Sequence, residues 1–188
     1  MLTKQIDLVY DSQKIFMDIL KTLSNPGVEV DLKWVIDKYG EYGVKLLLAV
    51  TFLDGENSFY ISDRKIAKEI EFLTGSNLLD IENADFLFLK EDENIEQLIE
   101  NVKQGTFVDP HLSATVIIFF DECETKEKVT LYGVGISEEG FEIELTKNEL
   151  KCFDKRNLCQ EEYPCGVDLI FVRNNSIVFS LPRKTRRY

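Results

Sequence analysis

The chain has 188 residues and a mass of 21.8 kDa, enough for one domain that buries roughly 70% of its unfolded surface. Its 34 acidic residues against 22 basic ones give a net charge of −12, which speaks against nucleic acid or an anionic membrane as partner. Hydrophobic residues at 44% and aromatics at 11% exclude a disordered chain.

Met1 to Leu20 is interrupted by Lys4, Asp7, Asp11, Lys14 and Asp18, so no secretory leader is expected and the compartment reads as cytoplasmic. Ile15, Phe16, Ile19, Leu20 and Leu23 recur at helical spacing and predict a helix over 11–24, with Asp11 as its cap. Asn25-Pro26-Gly27 stops it. Val28 to Leu32 alternates apolar and acidic residues, as a half-exposed strand does. Residues 42–53 are apolar on nearly every side and predict a buried helix ending at Asp54-Gly55. Ser58 to Ile61 reads as a strand. Ser62 or Asp63 can cap the next helix, whose face is Ile66, Ile70 and Leu73 and whose end is Gly75.

Ala84 to Leu89 reads as a strand. Asn94 with Gln97 forms a capping-box pattern before a helix through Ile95, Leu98, Ile99 and Val102. Thr115 to Phe120 is a continuous apolar run, the signature of a central strand. Strands follow at Val129 to Val134 and Phe141 to Leu145. Thr146 with Glu149 marks the start of a polar-faced helix over 146–159. Val167 to Val172 and Ile177 to Leu181 are two apolar strands joined by an Asn174-Asn175 turn. The order of elements predicts an α/β fold, a single three-layer domain over 1–188 with a central mixed sheet flanked by helices.

Chemistry is harder to find. Gly133-x-Gly135 followed by Gly140 has the wrong spacing for a dinucleotide fingerprint and reads as a turn between strands. No P-loop pattern occurs. Cys123, Cys152, Cys159 and Cys165 form no C-x-x-C pair and match no zinc spacing, so they read as reduced thiols; no metal site is expected. His111 is the only histidine. It lies between Asp109 and Ser113 in the loop that enters the central strand, where a Ser–His or Cys–His pair is formally possible. A hydrogen-bonded strand entry is the alternative. Asp168 begins an apolar strand and must be paired, hydrogen-bonded or at an exposed end. Asp109, His111 and Asp168 are thus the catalytic candidates. Arg183, Lys184, Arg186 and Arg187 lie in the last six residues, where there is no acid, so the rest of the chain carries 18 basic against 34 acidic residues, a net −16. Such a cluster suits a phosphate or an acidic partner surface. Arg183 and Thr185, next to a strand, are expected to be ordered, and Arg186 and Arg187 to be solvated.

Five segments in order resemble the PhnH family, a subunit of the bacterial carbon–phosphorus lyase system. They are Phe16-x3-Leu20-x2-Leu23-Ser24-x-Pro26-Gly27-Val28; Gly105-Thr106-x3-Pro110-x2-Ser113-Ala114-Thr115; Leu131-x-Gly133-x-Gly135-Ile136; Tyr163-Pro164-x-Gly166-Val167-Asp168-Leu169-Ile170; and Leu181-Pro182-Arg183-x-Thr185. The position of His111 is often acidic in the family, and Lys184 is a milder departure. The resemblance implies a fold like the large domain of pyridoxal-phosphate-dependent transferases, without the cofactor. It implies a homodimer joined to the other core subunits of the lyase. It further implies that the complex uses MgATP, displacing adenine with a phosphonate to form a ribose 1-phosphonate 5-triphosphate. No complete site for that reaction is visible in the chain, which suggests an assisting subunit. Gly105, Thr106, Arg183 and Thr185 are its candidate phosphate or partner contacts. The alternative is a stand-alone enzyme binding phosphate or nucleotide near His111, Asp168 and Arg183.

Overall fold

A computed structural model describes residues 7, 9–91, 93–121, 125–159 and 162–187. Part of the leader reading, over residues 1–6 and 8, and the thiol reading of Cys123 lie outside the described residues. The elements in chain order are α1 (Tyr10–Ser24), β1 (Val30–Asp31), α2 (Lys33–Tyr39), α3 (Glu41–Phe52), β2 (Ser58–Ile61), α4 (Arg64–Thr74), β3 (Asn77–Leu78), β4 (Phe86–Lys90) and α5 (Ile95–Asn101). There follow a short 3-10 turn at Pro110–Leu112, β5 (Thr115–Phe120), β6 (Lys126–Tyr132), β7 (Phe141–Thr146), α6 (Lys147–Cys159), β8 (Asp168–Arg173), β9 (Ile177–Leu181) and β10 (Arg186–Arg187).

Seven strands form a mixed sheet in the order β1-β9-β8-β5-β4-β2-β3. β3, β2, β4, β5 and β8 are mutually parallel, β9 is antiparallel to β8, and β1 is antiparallel to β9. The central strand β5 shows why a continuous apolar run is needed here. Ile117 and Phe119 face a core shared with α1 to α4, whereas Val116, Ile118 and Phe120 face a second core shared with α5, α6, β6 and β7. Successive side chains alternate across a strand, so a sheet covered on both faces needs apolar residues at both parities. α3 packs against α1, α2 and α4, and Gly43 to Ala49 are all buried. This is the α/β architecture with helices on both faces that the sequence predicts.

Some expectations are corrected. β6 and β7 do not join the main sheet; with β10 they form a separate three-stranded antiparallel sheet. Their sequences explain it. Val129, Leu131, Ile143 and Leu145 are buried on one face, while Lys128, Glu142 and Glu144 on the other face are exposed, so only one face can be buried. Arg186 and Arg187 are not merely solvated: β10 pairs with β6, and Arg187 bonds Asp154 at 2.6 Å. Asp11 is not a cap. It lies inside α1, buried, and accepts from Lys38 Nζ at 2.8 Å and from the Tyr39 hydroxyl, while Asp7 Oδ1 accepts from the Val9 and Tyr10 amides, both at 3.0 Å. The Asn94–Gln97 box does not close on the backbone: Asn94 Nδ2 donates to Gln97 Oε1 at 2.9 Å. The strand expected at Val28 to Leu32 shrinks to Val30–Asp31, because helix α2 begins at Lys33.

Candidate functional site

The candidate residues from the sequence gather at one edge of the sheet. β5 and β8 begin there, and antiparallel β9 ends there, so Asp168 and Arg183 meet. Asp168 Oδ1 accepts from the Arg183 backbone amide at 2.7 Å and Nε at 3.3 Å, and Oδ2 accepts from Nη2 at 2.6 Å. Arg183 Nη1 donates to the carbonyls of Pro110 and Pro164, at 3.1 and 3.3 Å. One guanidinium therefore ties the strand entry, the 3-10 turn and the segment before β8 together. Bidentate arginine–carboxylate geometry suits such a clamp.

The neighbouring loop is closed on itself. Thr106 Oγ1 accepts from the Asp109 amide at 2.9 Å. Gly105 sits at φ +76°, and a Cβ there would lie 2.9 Å from the Pro110 carbonyl oxygen, so no other residue fits without shifting backbone. His111 is exposed on the turn. Ser113 Oγ is buried without a hydrogen-bond partner, so no Ser113–His111 pair is formed. The Thr185 hydroxyl is also buried and unpartnered, while the Thr185 carbonyl accepts from Arg156 and Arg186. Arg156 is buried beside them, and burial, with Arg186 and Arg183 nearby, pushes its pKa down. Among the described residues no cluster of three histidine, cysteine, aspartate or glutamate side chains is placed to hold a metal. Cys152 and Cys159 are free thiols, and burial pushes the Cys152 pKa up to about 12, far from a reactive thiolate.

A cleft lies at the opposite edge, beyond the carboxyl ends of β4, β5 and β8. Open α/β sheets place ligands at this edge. It holds about 550 Å³ and is lined by Glu41, Tyr42, Lys45, Lys90, Glu91, Phe119, Asp121 and Asn175. Lys45 rises into it from α3 and is only 8% exposed. Its Nζ lies 4.4 Å from the centre of the Phe119 ring, a cation–π contact. Among the described residues it has no hydrogen bond and no carboxylate within 4 Å. Burial, reinforced by the nearby charge of Lys90, lowers its pKa below the ordinary lysine value of 10.5. The sequence carried a signal for this residue. Lys45 is the only charged residue in the otherwise apolar stretch 42–53, but nothing in the stretch alone says which side opens to a cleft.

Among the described residues no helix is long and apolar enough to cross a membrane. No curated protein matches the chain. A family model described as bacterial phosphonate metabolism protein (PhnH) matches residues 4–187, nearly the whole chain and all five of the segments quoted above. The chain belongs to the PhnH family of bacterial phosphonate metabolism proteins.

Proposed function

We propose that the chain is a cytoplasmic, homodimeric subunit of the carbon–phosphorus lyase core complex, alpha-D-ribose 1-methylphosphonate 5-triphosphate synthase. In that role it assists the displacement of adenine from MgATP by a phosphonate. A phosphonate oxygen attacks the anomeric carbon, the glycosidic bond breaks and adenine leaves. The observation that carries the reading is the family match over residues 4–187.

Two features of the molecule support an assisting rather than a self-sufficient role. Asp168 and Arg183 satisfy each other, and the described residues around them form no nucleophile–base pair. Apolar side chains also face solvent in two patches. One is the outer face of α1, with Tyr10, Phe16, Met17 and Leu20; the other is the loop bearing Phe107, Val108 and Leu112. Contiguous exposed apolar patches are typical of association surfaces. The likeness to a pyridoxal-phosphate-dependent transferase fold without the cofactor belongs to the same proposal. It is supported by a seven-stranded sheet in which only β9 runs against the rest.

Co-expression with the other core subunits tests the reading. The chain is expected to co-purify with them, and omitting it is expected to lower adenine release from MgATP and methylphosphonate. A folded chain that fails to co-purify, or undiminished adenine release without it, would sink the proposal.

A further inference from the structure

The cleft at the carboxyl edge presents an unusual charge arrangement for so acidic a molecule. The chain carries 34 acidic residues, yet Lys45 and Lys90 line one cleft with no ion pair to any described residue. A buried ammonium without a counter-charge costs stability, because desolvation is not offset by an opposite charge. A second lysine beside it adds repulsion. Perturbed charges of this kind concentrate at functional sites, where a ligand can bring a paired charge.

Asp121, Asp63 and Glu93 attract Lys45 from a distance, but none of them forms an ion pair with it. Glu91 Oε1 accepts from Asn148 Nδ2 of α6 at 2.6 Å and its Oε2 from the Asp121 amide at 3.1 Å, so both oxygens are hydrogen-bonded. Asp63 caps α4, accepting from the amides of Lys65 and Ile66. Glu93 Oε1 accepts from Ser62 Oγ at 3.0 Å and from the Lys90 amide at 3.1 Å. Asp121 and Glu41 line the cleft but are exposed to water. Water screens those two charges, whereas Lys45 lies in a poorly solvated position where an opposite charge counts for more.

We infer that this cleft binds a small molecule with a phosphate or phosphonate head group, gripped by Lys45 from α3 and by Lys90 from the end of β4. The Phe119 ring floors the site, and Tyr42 and Asn175 add polar or aromatic contacts around it. A volume of about 550 Å³ falls within the usual range for small-molecule sites. The site is separate from the Asp168–Arg183 clamp, which lies at the other edge of the sheet. The choice of head group rests on the family's place in phosphonate metabolism. The anion site itself rests on the burial of Lys45, on Lys90 beside it, and on neither forming an ion pair with a described residue.

Calorimetry on the purified full chain, with methylphosphonate and inorganic phosphate as separate probes, tests the inference. At least one probe is expected to bind, and raising the salt concentration is expected to weaken it. Tighter binding of methylphosphonate assigns the site to phosphonates; tighter binding of phosphate assigns it to phosphate compounds. Lys45→Met, which replaces a buried charge with an apolar chain of similar length, is expected to weaken binding at least tenfold, and Lys90→Gln by less. A second measurement does not depend on any variant folding. Lys45 in the unaltered protein is expected to be shielded from an amine-acylating reagent by the bound probe, read by mass spectrometry. Failure of both probes to bind, undiminished binding by Lys45→Met, or absence of shielding would overturn the inference. Co-purification of Lys45→Met with the other core subunits is scored separately, so that loss of the anion site and loss of assembly are told apart.

Discussion

Two acids show what single residues contribute to this molecule. Glu149 is fully buried and does two jobs. Its Oε2 accepts from the Thr146 amide at 2.8 Å, closing the cap of α6, and its carboxylate bonds Arg173 Nε at 2.6 Å and Nη2 at 2.8 Å. The Glu149→Ala variant opens the cap and strips a buried guanidinium of its main partner. A loss of about 3 kcal/mol is expected in urea unfolding, with Glu149→Gln losing less. Asp85 is a partly exposed counterpart. Burial alone would raise its pKa, but hydrogen bonds from Lys103 and Ser58 outweigh that and hold it below the ordinary 3.8. A carboxylate with a lowered folded-state pKa stabilises fully above its unfolded value, and that stabilisation is lost as pH falls through the folded value. Asp85→Asn is therefore expected to be less stable than the unaltered protein at pH 7. The gap should close as pH falls below 3.8, measured by chemical unfolding across the acid range. The capping role of Glu149 was legible in the Thr146-x-x-Glu149 pattern. Its pairing with Arg173 was not, because the two lie 24 positions apart, one on α6 and the other at the end of β8.

Local signals decided most elements. The sequence left Ser62 and Asp63 open as caps of α4; the structure selects Asp63, whose Oδ1 accepts from Lys65 and Ile66 at 2.9 and 3.3 Å. Asp63→Ala is expected to cost about 1 kcal/mol, read from the shift of the denaturation midpoint. The Asn174-Asn175 turn was legible for a similar reason. Both residues adopt positive φ, at 48° and 53°, which asparagine tolerates better than most side chains. α1 was legible as a helix but not as a two-sided one. Ile15 and Ile19 enter the core, whereas Phe16, Met17 and Leu20 stay outside, and periodicity alone cannot assign the second face. The double variant Phe16→Glu with Met17→Glu is expected to leave the unfolding temperature within a few degrees and to impair assembly, seen by size-exclusion chromatography of the co-expressed subunits. A large loss of stability with assembly intact would make that face structural. α2 escaped notice because it is only seven residues long, and its buried pair Val35 and Tyr39 is a single i, i+4 repeat.

At the scale of the whole molecule, residues 183–187 are a fastener rather than a tail. Arg183 clamps Asp168, β10 pairs with β6, and Arg187 bonds Asp154 on α6. Gly133, at φ +148°, lets this segment pass: a Cβ there would lie 2.8 Å from the Lys184 carbonyl oxygen. Deleting residues 183–188 is expected to lower the unfolding temperature by several degrees or more, seen by differential scanning calorimetry. Composition, apolar runs and turn residues by themselves determined an α/β chain with a two-sided central sheet, since those features are encoded within a few residues of one another. The motif order also pointed to the family. Only the tertiary structure decided that β6, β7 and β10 form their own sheet, that Asp168 and Arg183 bind each other, and that Lys45 opens into a cleft. Each of these is a meeting of residues far apart in the chain, where burial and charge depend on what packs opposite. Such neighbours have no local signature, so the sequence supplied the candidate residues and the fold determined which were joined to one another and which were left facing a cleft.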